Sequence, residues 1–235
     1  MVLIENCKGR STKLPVGGPE RLLGKYFGPI YSKCCSAMIS KGNQISADLA
    51  KISVEKYGFK YLPESKEYRI GVRKGGITML FQRRIKTKWH KRRIEVDLEF
   101  IKGNFHGFFE LKDDAVHDSK KVDKEVETLM ECGSYAKDLE YEYLLFISSF
   151  YSPSTKDVRD GMKHLIPEKK INIFTGEMLC NKLRINYDDL VKERNKGQKK
   201  NINYFIKEVV TVSIKYYPKI FDNVLKNIGY RLEKI

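Results

Sequence analysis

Residues 93–112 read RIEVDLEFIKGNFHGFFELK, and no other stretch restricts the fold as much. Glu95, Asp97 and Glu99 alternate with Val96, Leu98 and Phe100, a period of two that belongs to an extended strand with one wet and one dry face. After Gly103-Asn104 a second run follows, in which Phe109 and Leu111 alternate with Phe108, Glu110 and Lys112. Gly and Asn tolerate positive φ, so the pair suits a two-residue hairpin turn. That turn fixes the register: Lys102 faces Phe105, Asp97 faces Glu110, and Glu95 faces Lys112.

Directly opposed residues on one face have Cβ atoms roughly 4.5 to 5.5 Å apart, where like charges destabilise a sheet unless something positive lies between them. A divalent cation between Asp97 and Glu110 meets that need. The Lys112 ammonium, one pair along, is then within reach of a phosphate bound to the metal. Charged and apolar residues also alternate in any antiparallel hairpin with a solvated face. An ordinary surface ladder, however, pairs opposite charges, and this one pairs two acids.

The chain of 235 residues carries 45 Lys and Arg against 30 Asp and Glu, a formal charge of +15. Such an excess speaks of partners more than of fold, and places nucleic acid ahead of a membrane surface. No segment is apolar enough to span a bilayer. The start, MVLIENCKGR, lacks the apolar core of a secretory signal, so a cytoplasmic protein is expected. Five scattered cysteines without a CxxC pair, and four histidines, suggest neither a disulfide framework nor a zinc site.

Two helices are expected in residues 1–66. The first starts at Pro19 and carries Leu22, Leu23, Tyr26, Phe27 and Ile30 at helical spacing, and the second covers residues 46–57 with Leu49 and Ile52 inward. Glu20 shares a face with Leu23 and Phe27, either as a first-turn dipole partner or as a carboxylate aimed at a site. Residues 68–85 read as a hairpin turning at Lys74-Gly75-Gly76. A basic run follows, with Arg83, Arg84, Lys86, Lys88, Lys91, Arg92 and Arg93 around Trp89 and His90. It would grip a DNA backbone while Trp89 stacks or wedges, or else serve as a solvated strand edge.

Beyond Lys112 the pattern gives a helix over residues 118–139, with Val122, Val126, Leu129, Met130 and Gly133 inward, then a strand over 143–150. A helix from Ser154 with Asp157 placed for a capping box, a strand over 170–175 and a helix over 177–184 complete the core. Crossovers of this length imply parallel pairing with right-handed connections, hence an α/β fold with a central mixed β-sheet flanked by helices. From Tyr187 on, the segment KERNKGQKKN reads as a loop too polar to bury anything. Two helices with apolar stripes follow it, either covering the sheet or forming a dimer contact. The expected division is an N-terminal helical segment (1–66), a core (67–186) and a C-terminal helical extension (187–235).

Asp97, then Glu110-Leu111-Lys112 after a short turn, then helix and strand in this order, resembles the PD-(D/E)xK nucleases. The resemblance implies a restriction-endonuclease-like core in which Asp97 and Glu110 bind a divalent metal, usually Mg2+. Lys112 would be the catalytic base or charge stabiliser, and Glu20 a further candidate ligand. Val96 stands where the motif name has Pro. Glu131 and Tyr135 in the following helix depart from the Gln-x-x-x-Tyr of some recombination exonucleases, which argues against that branch. The expected activity is that of a type II restriction endonuclease acting on double-stranded DNA. It would act as a homodimer matched to a palindromic site, with a companion DNA methyltransferase encoded nearby. The alternatives are a Holliday-junction-resolving or repair nuclease, and a basic nucleic-acid-binding protein whose acidic hairpin binds no metal.

Overall fold

The computed structural model describes residues 1–9, 18–87, 93–113, 119–160 and 170–227. Two compact units are present, one from Met1–Asn43 with Asn195–Ile235 and a larger one from Gln44–Arg194.

In the larger unit a seven-stranded sheet runs in chain order: β1 (Lys60–Tyr61), β2 (Ile70–Lys74), β3 (Ile77–Ile85), β4 (Ile94–Lys102), β5 (Phe105–Lys112), β6 (Glu142–Ser149) and β7 (Ile171–Thr175). The first five strands form an antiparallel meander, and β5, β6 and β7 are parallel. Helix α3 (Ser119–Asp138) connects β5 to β6, and α4 (Thr155–Asp160) follows β6. The mixed sheet flanked by helices is therefore as the sequence pattern indicates.

Both predicted turns form where glycine relieves the steric penalty on positive φ: Gly75 lies at 53° between β2 and β3, and Gly103 at 59° between β4 and β5. Ser154 opens α4 with reciprocal bonds to Asp157, accepting from its backbone N–H (3.2 Å) and donating to its carboxylate (2.7 Å). Two apolar layers sandwich the sheet. On one face α2 (Ile45–Tyr57), α5 (Gly176–Leu183) and α6 (Tyr187–Arg194) bring Leu49, Ile52, Leu179 and Leu190 against Phe81, Leu98, Phe109 and Phe146. On the other, Val122, Val126 and Leu129 of α3 cover Val96, Phe108 and Ile147. At roughly 1.5 to 3 kcal/mol for each fully buried large apolar side chain, these layers supply the main driving force for the fold.

The helix α2, placed by sequence with the N-terminal segment, and α6, placed with the C-terminal extension, both belong to this larger unit. The expectation that residues 192–201 form a polar loop is corrected: α6 ends at Arg194 and α7 (Gln198–Tyr216) starts four residues later. Far from lying outside, Arg194 is 3% exposed. Its charge is matched by Asp48 of α2 at 3.0 Å and by Asp113 at the end of β5. Lys51 of α2 likewise meets Glu193 at 2.6 Å. One arginine of this polar run is buried because its charge finds partners on α2 and at the end of β5, which sequence composition does not reveal.

In the smaller unit α1 (Gly18–Gly42) is broken at Gly24, whose φ of 72° is not helical. The break sets residues 18–23 out of phase with the rest. Ile30 is buried, while Leu22 and Leu23, expected on the same apolar stripe, are exposed. Helices α7 and α8 (Pro218–Asn227) complete this unit, with Tyr26 stacked on Tyr216 at 3.6 Å between ring centroids. Among the described residues no helix is long and apolar enough to cross a membrane.

Candidate active site

The hairpin turn sets the register as its sequence requires, with Lys102 opposite Phe105 and Leu98 opposite Phe109. There the β4–β5 ladder stops, one pair short of Asp97 and Glu110. The Leu111 N–H, left without a strand partner on that side, donates instead to Asp97 Oδ2 at 2.8 Å. β5 itself runs on, held by β6 as far as Lys112 beside Ser149. The opening thus leaves an acidic side chain folded across the gap between two strands.

A second irregularity sits across β4. The β3–β4 ladder pairs Phe81 with Leu98 and Arg83 with Val96 but omits Gln82 and Asp97, and Gln82 takes a φ of 49°. On either side of this point the strands exchange faces. Phe81 and Leu98 belong to the α2 layer, whereas Ile85 and Val96 belong to the α3 layer. A positive φ at a residue other than glycine is uncommon and marks an imposed conformation. Here it falls beside the acid on which the site depends.

Glu110 is buried, and that burial, followed by the neighbouring Asp97 charge, holds its carboxyl well above the ordinary carboxylate range. Asp97 is thus near enough to Glu110 to act on its charge, although the ladder pair that the sequence places between them is not formed. Lys112 Nζ lies 3.9 Å from Glu110 and forms a close ion pair with Glu125 of α3. Glu125 is the residue that sequence reasoning missed. Its signal was present: it lies three residues after Val122 and four before Leu129, an acid beside the buried stripe of α3.

Two expectations for the acidic strand are corrected. Glu95 does not face Lys112, because the ladder has opened; it pairs with Arg84 of β3 at 3.0 Å, both side chains about half exposed. Glu99 is not on a wet face. At 2% exposure it is among the most buried charges of the unit, held by Arg83 Nε at 2.8 Å and His106 Nδ1 at 2.7 Å. His106 is stacked on Tyr141 with centroids 4.0 Å apart. The alternation places Glu99 opposite the Leu98 and Phe100 core, and α3 covers that side.

The predicted DNA-contacting run is divided by these ion pairs. Arg83 is held between Glu99 and Glu67, and Arg84 by Glu95. Lys86 is exposed, and Arg93 donates to the Lys66 carbonyl at 3.2 Å. Lys88, Trp89, Lys91 and Arg92 lie outside the described residues. Glu20 stands in the first turn of α1, in the smaller unit, where its backbone lies against Gly28. A Cβ on that glycine would come within 2.6 Å of the Glu20 Cα.

No family model, curated protein or solved structure matches the chain. The site is therefore read from its own chemistry. Among the described residues no group of three or more His, Cys, Asp or Glu is placed to hold a metal ion, so a metal would rest on the Asp97–Glu110 pair. That pair fits magnesium, which is commonly held by one or two carboxylates and keeps several of its waters. Asp97 gives one oxygen to Leu111, and a cation between the two acids would offset the burial and the neighbouring charge that raise the Glu110 carboxyl.

A stability measurement tests the environment of Glu110 without any substrate. With the Glu110 carboxyl raised by burial and by Asp97, the folded chain holds a proton that the unfolded chain has already released. The stabilisation from that proton is full below the ordinary carboxylate range and is lost as pH rises toward the folded value, by up to about 1.4 kcal/mol per pH unit. In chelator, denaturant melts of Glu110→Gln should lack this decline while the unsubstituted chain shows it. Identical pH slopes for the two would mean that the Glu110 carboxyl is not raised, and Asp97→Asn, which keeps the burial and removes the neighbouring charge, should show a shallower decline than the unsubstituted chain.

Proposed function

We infer that the chain is a magnesium-dependent endonuclease that hydrolyses phosphodiester bonds in double-stranded DNA, with a restriction-endonuclease-like core. The observation that carries this reading is the meeting of Asp97 and Glu110 where β4 and β5 part, with Lys112 two residues further along β5. Meander, helix, strand, in that order around such a motif, supports the resemblance to the PD-(D/E)xK nucleases.

The chain's own groups divide the work. Asp97 and Glu110 would hold the ion, and Asp97 does so while capping Leu111, which fixes its carboxylate against rotation. A bound magnesium would offset phosphate charge and lower the pKa of a coordinated water. Lys112 supplies a positive charge beside Glu110, in place to orient a water or to stabilise charge on the scissile phosphate. Glu125 acts through Lys112 as a positioning residue: its ion pair fixes the ammonium on the α3 side of β5. The net charge of +15 favours a polyanionic substrate.

The proposal extends to a type II restriction enzyme acting as a homodimer. Exposed apolar side chains on α7 and α8, among them Ile206, Ile214, Ile220 and Val224, support a self-association surface. Incubation with plasmid, with and without chelator, tests the whole reading. Discrete limit fragments that vanish in chelator are the expected result. Cutting confined to branched or damaged DNA would place the same site in junction resolution or repair. Binding without any cutting, with magnesium present, would leave a nucleic-acid-binding protein and reject the enzyme.

A further inference from the structure

At the opposite end of the sheet from Asp97, two adjoining cavities of about 500 and 320 Å³ open beside the β2–β3 and β4–β5 turns. Both are lined by Ile77, Lys102 and Arg184, so they form one continuous recess of a size suited to a small molecule. Its floor is apolar and aromatic, with Phe100 and Phe105 in the larger part and Phe59 in the smaller. Its rim is cationic. Lys182 lies over the Phe105 ring at 5.1 Å, and Lys74 donates to the Tyr57 carbonyl at 2.7 Å. A single acid, Glu142, stands at the edge.

Arg184 is the informative residue. It ends α5 in the left-handed region, φ 61° and ψ 41°, its N–H directed to the carbonyls of Asn181 and Cys180. Glycine is the favoured residue at such a helix end, because any side chain there carries a steric penalty of about 1 kcal/mol or more. The chain keeps an arginine in this position, and it lines both parts of the recess. Strain retained at a cavity wall points to use of the side chain. Lys102, at the end of β4, adds a second exposed cation.

We propose that this recess binds a nucleotide unit, its base on the Phe100 and Phe105 floor and its phosphate between Arg184 and Lys102. A guanidinium offers the paired donors that phosphate oxygens accept, and Glu142 can accept from an amino or hydroxyl group of the ligand. The site is separate from the candidate active site. Phe105 and Lys112 stand at the two ends of β5, about 23 Å apart at 3.3 Å per residue. Binding here neither requires nor excludes cleavage there. The unit can come from a free nucleotide or from a nucleic-acid strand.

Calorimetric titration in chelator and 150 mM salt, conditions that silence magnesium chemistry, tests the site with AMP, adenosine, inorganic phosphate and a short oligo-dT. AMP should bind more tightly than adenosine or phosphate alone. Arg184→Gly, which suits the backbone at φ 61°, and Lys102→Gln should each weaken AMP by about tenfold, as expected for loss of one charge-assisted contact. Oligo-dT weakened in step with AMP identifies a strand as the occupant, and oligo-dT unaffected identifies the free nucleotide. Absence of AMP binding, equal binding of AMP and phosphate, or full affinity in both variants overturns the proposal.

Discussion

Asp97→Asn should lower magnesium-dependent DNA cleavage by about 10³-fold or more, with DNA retention on a filter unchanged. The amide oxygen can still accept from Leu111 N–H, now bonded to Asp97 Oδ2 at 2.8 Å, so the strand opening persists and only the negative charge is lost. Losing one preorganised electrostatic contact in a catalytic site typically costs about 10² to 10³ in rate, and here the change would also weaken the proposed metal site. Lys112→Met should show a similar loss with magnesium affinity retained, since the ammonium is no ligand. Glu125→Gln, which leaves Lys112 in place without its close partner, should cost less than Lys112→Met. Rate and magnesium dependence measured together separate the three roles. Wild-type cleavage in Asp97→Asn would remove the acid pair from the mechanism.

Much of this site was legible because a two-residue turn propagates its register without help from tertiary structure. Gly103 at positive φ fixes Lys102 opposite Phe105, and four further pairs follow. The alternation of β4 and the stripe of α3 were legible for the same local reason. What failed to show was every feature set by a partner distant in sequence. The ladder opens beyond Leu98, so Glu95 is left to Arg84 and not to Lys112. Glu99 looks like one more acid on a wet face, and is buried only because Arg83 and His106 meet it there. Glu125 is helical by pattern, yet its role depends on where Lys112 emerges from β5. A charge can be placed on a strand or helix from the chain alone; its burial is decided by the opposite charge that the fold brings to it.

Arg194→Ala carries the largest expected stability effect, a loss of about 3 kcal/mol, the low end of the range for removing one partner of a buried ion pair. Arg194 lies between Asp48 at 3.0 Å and Asp113, and its guanidinium sits over the Phe150 ring at 5.1 Å. The Asp113 side chain remains 30% exposed, so water recovers part of what the guanidinium supplied, and the full 5 kcal/mol of that range is not expected. For a chain of this size the loss corresponds to roughly 6 to 12 °C in Tm. Neutralising the acceptors tells electrostatics from packing: in an Asp48→Asn, Asp113→Asn background Arg194→Met should cost much less than in the native chain. The same change should reach the candidate site. Phe150 N–H donates to the Lys112 carbonyl at 2.7 Å and Tyr151 N–H to that of Asp113 at 3.1 Å, so the segment Arg194 anchors is the one that carries Lys112. Below its melting range, Arg194→Ala should therefore cut DNA more slowly than the native chain while Asp97 and Glu110 still bind magnesium. A variant that loses stability but cleaves at the native rate would separate this anchor from the strand that carries Lys112.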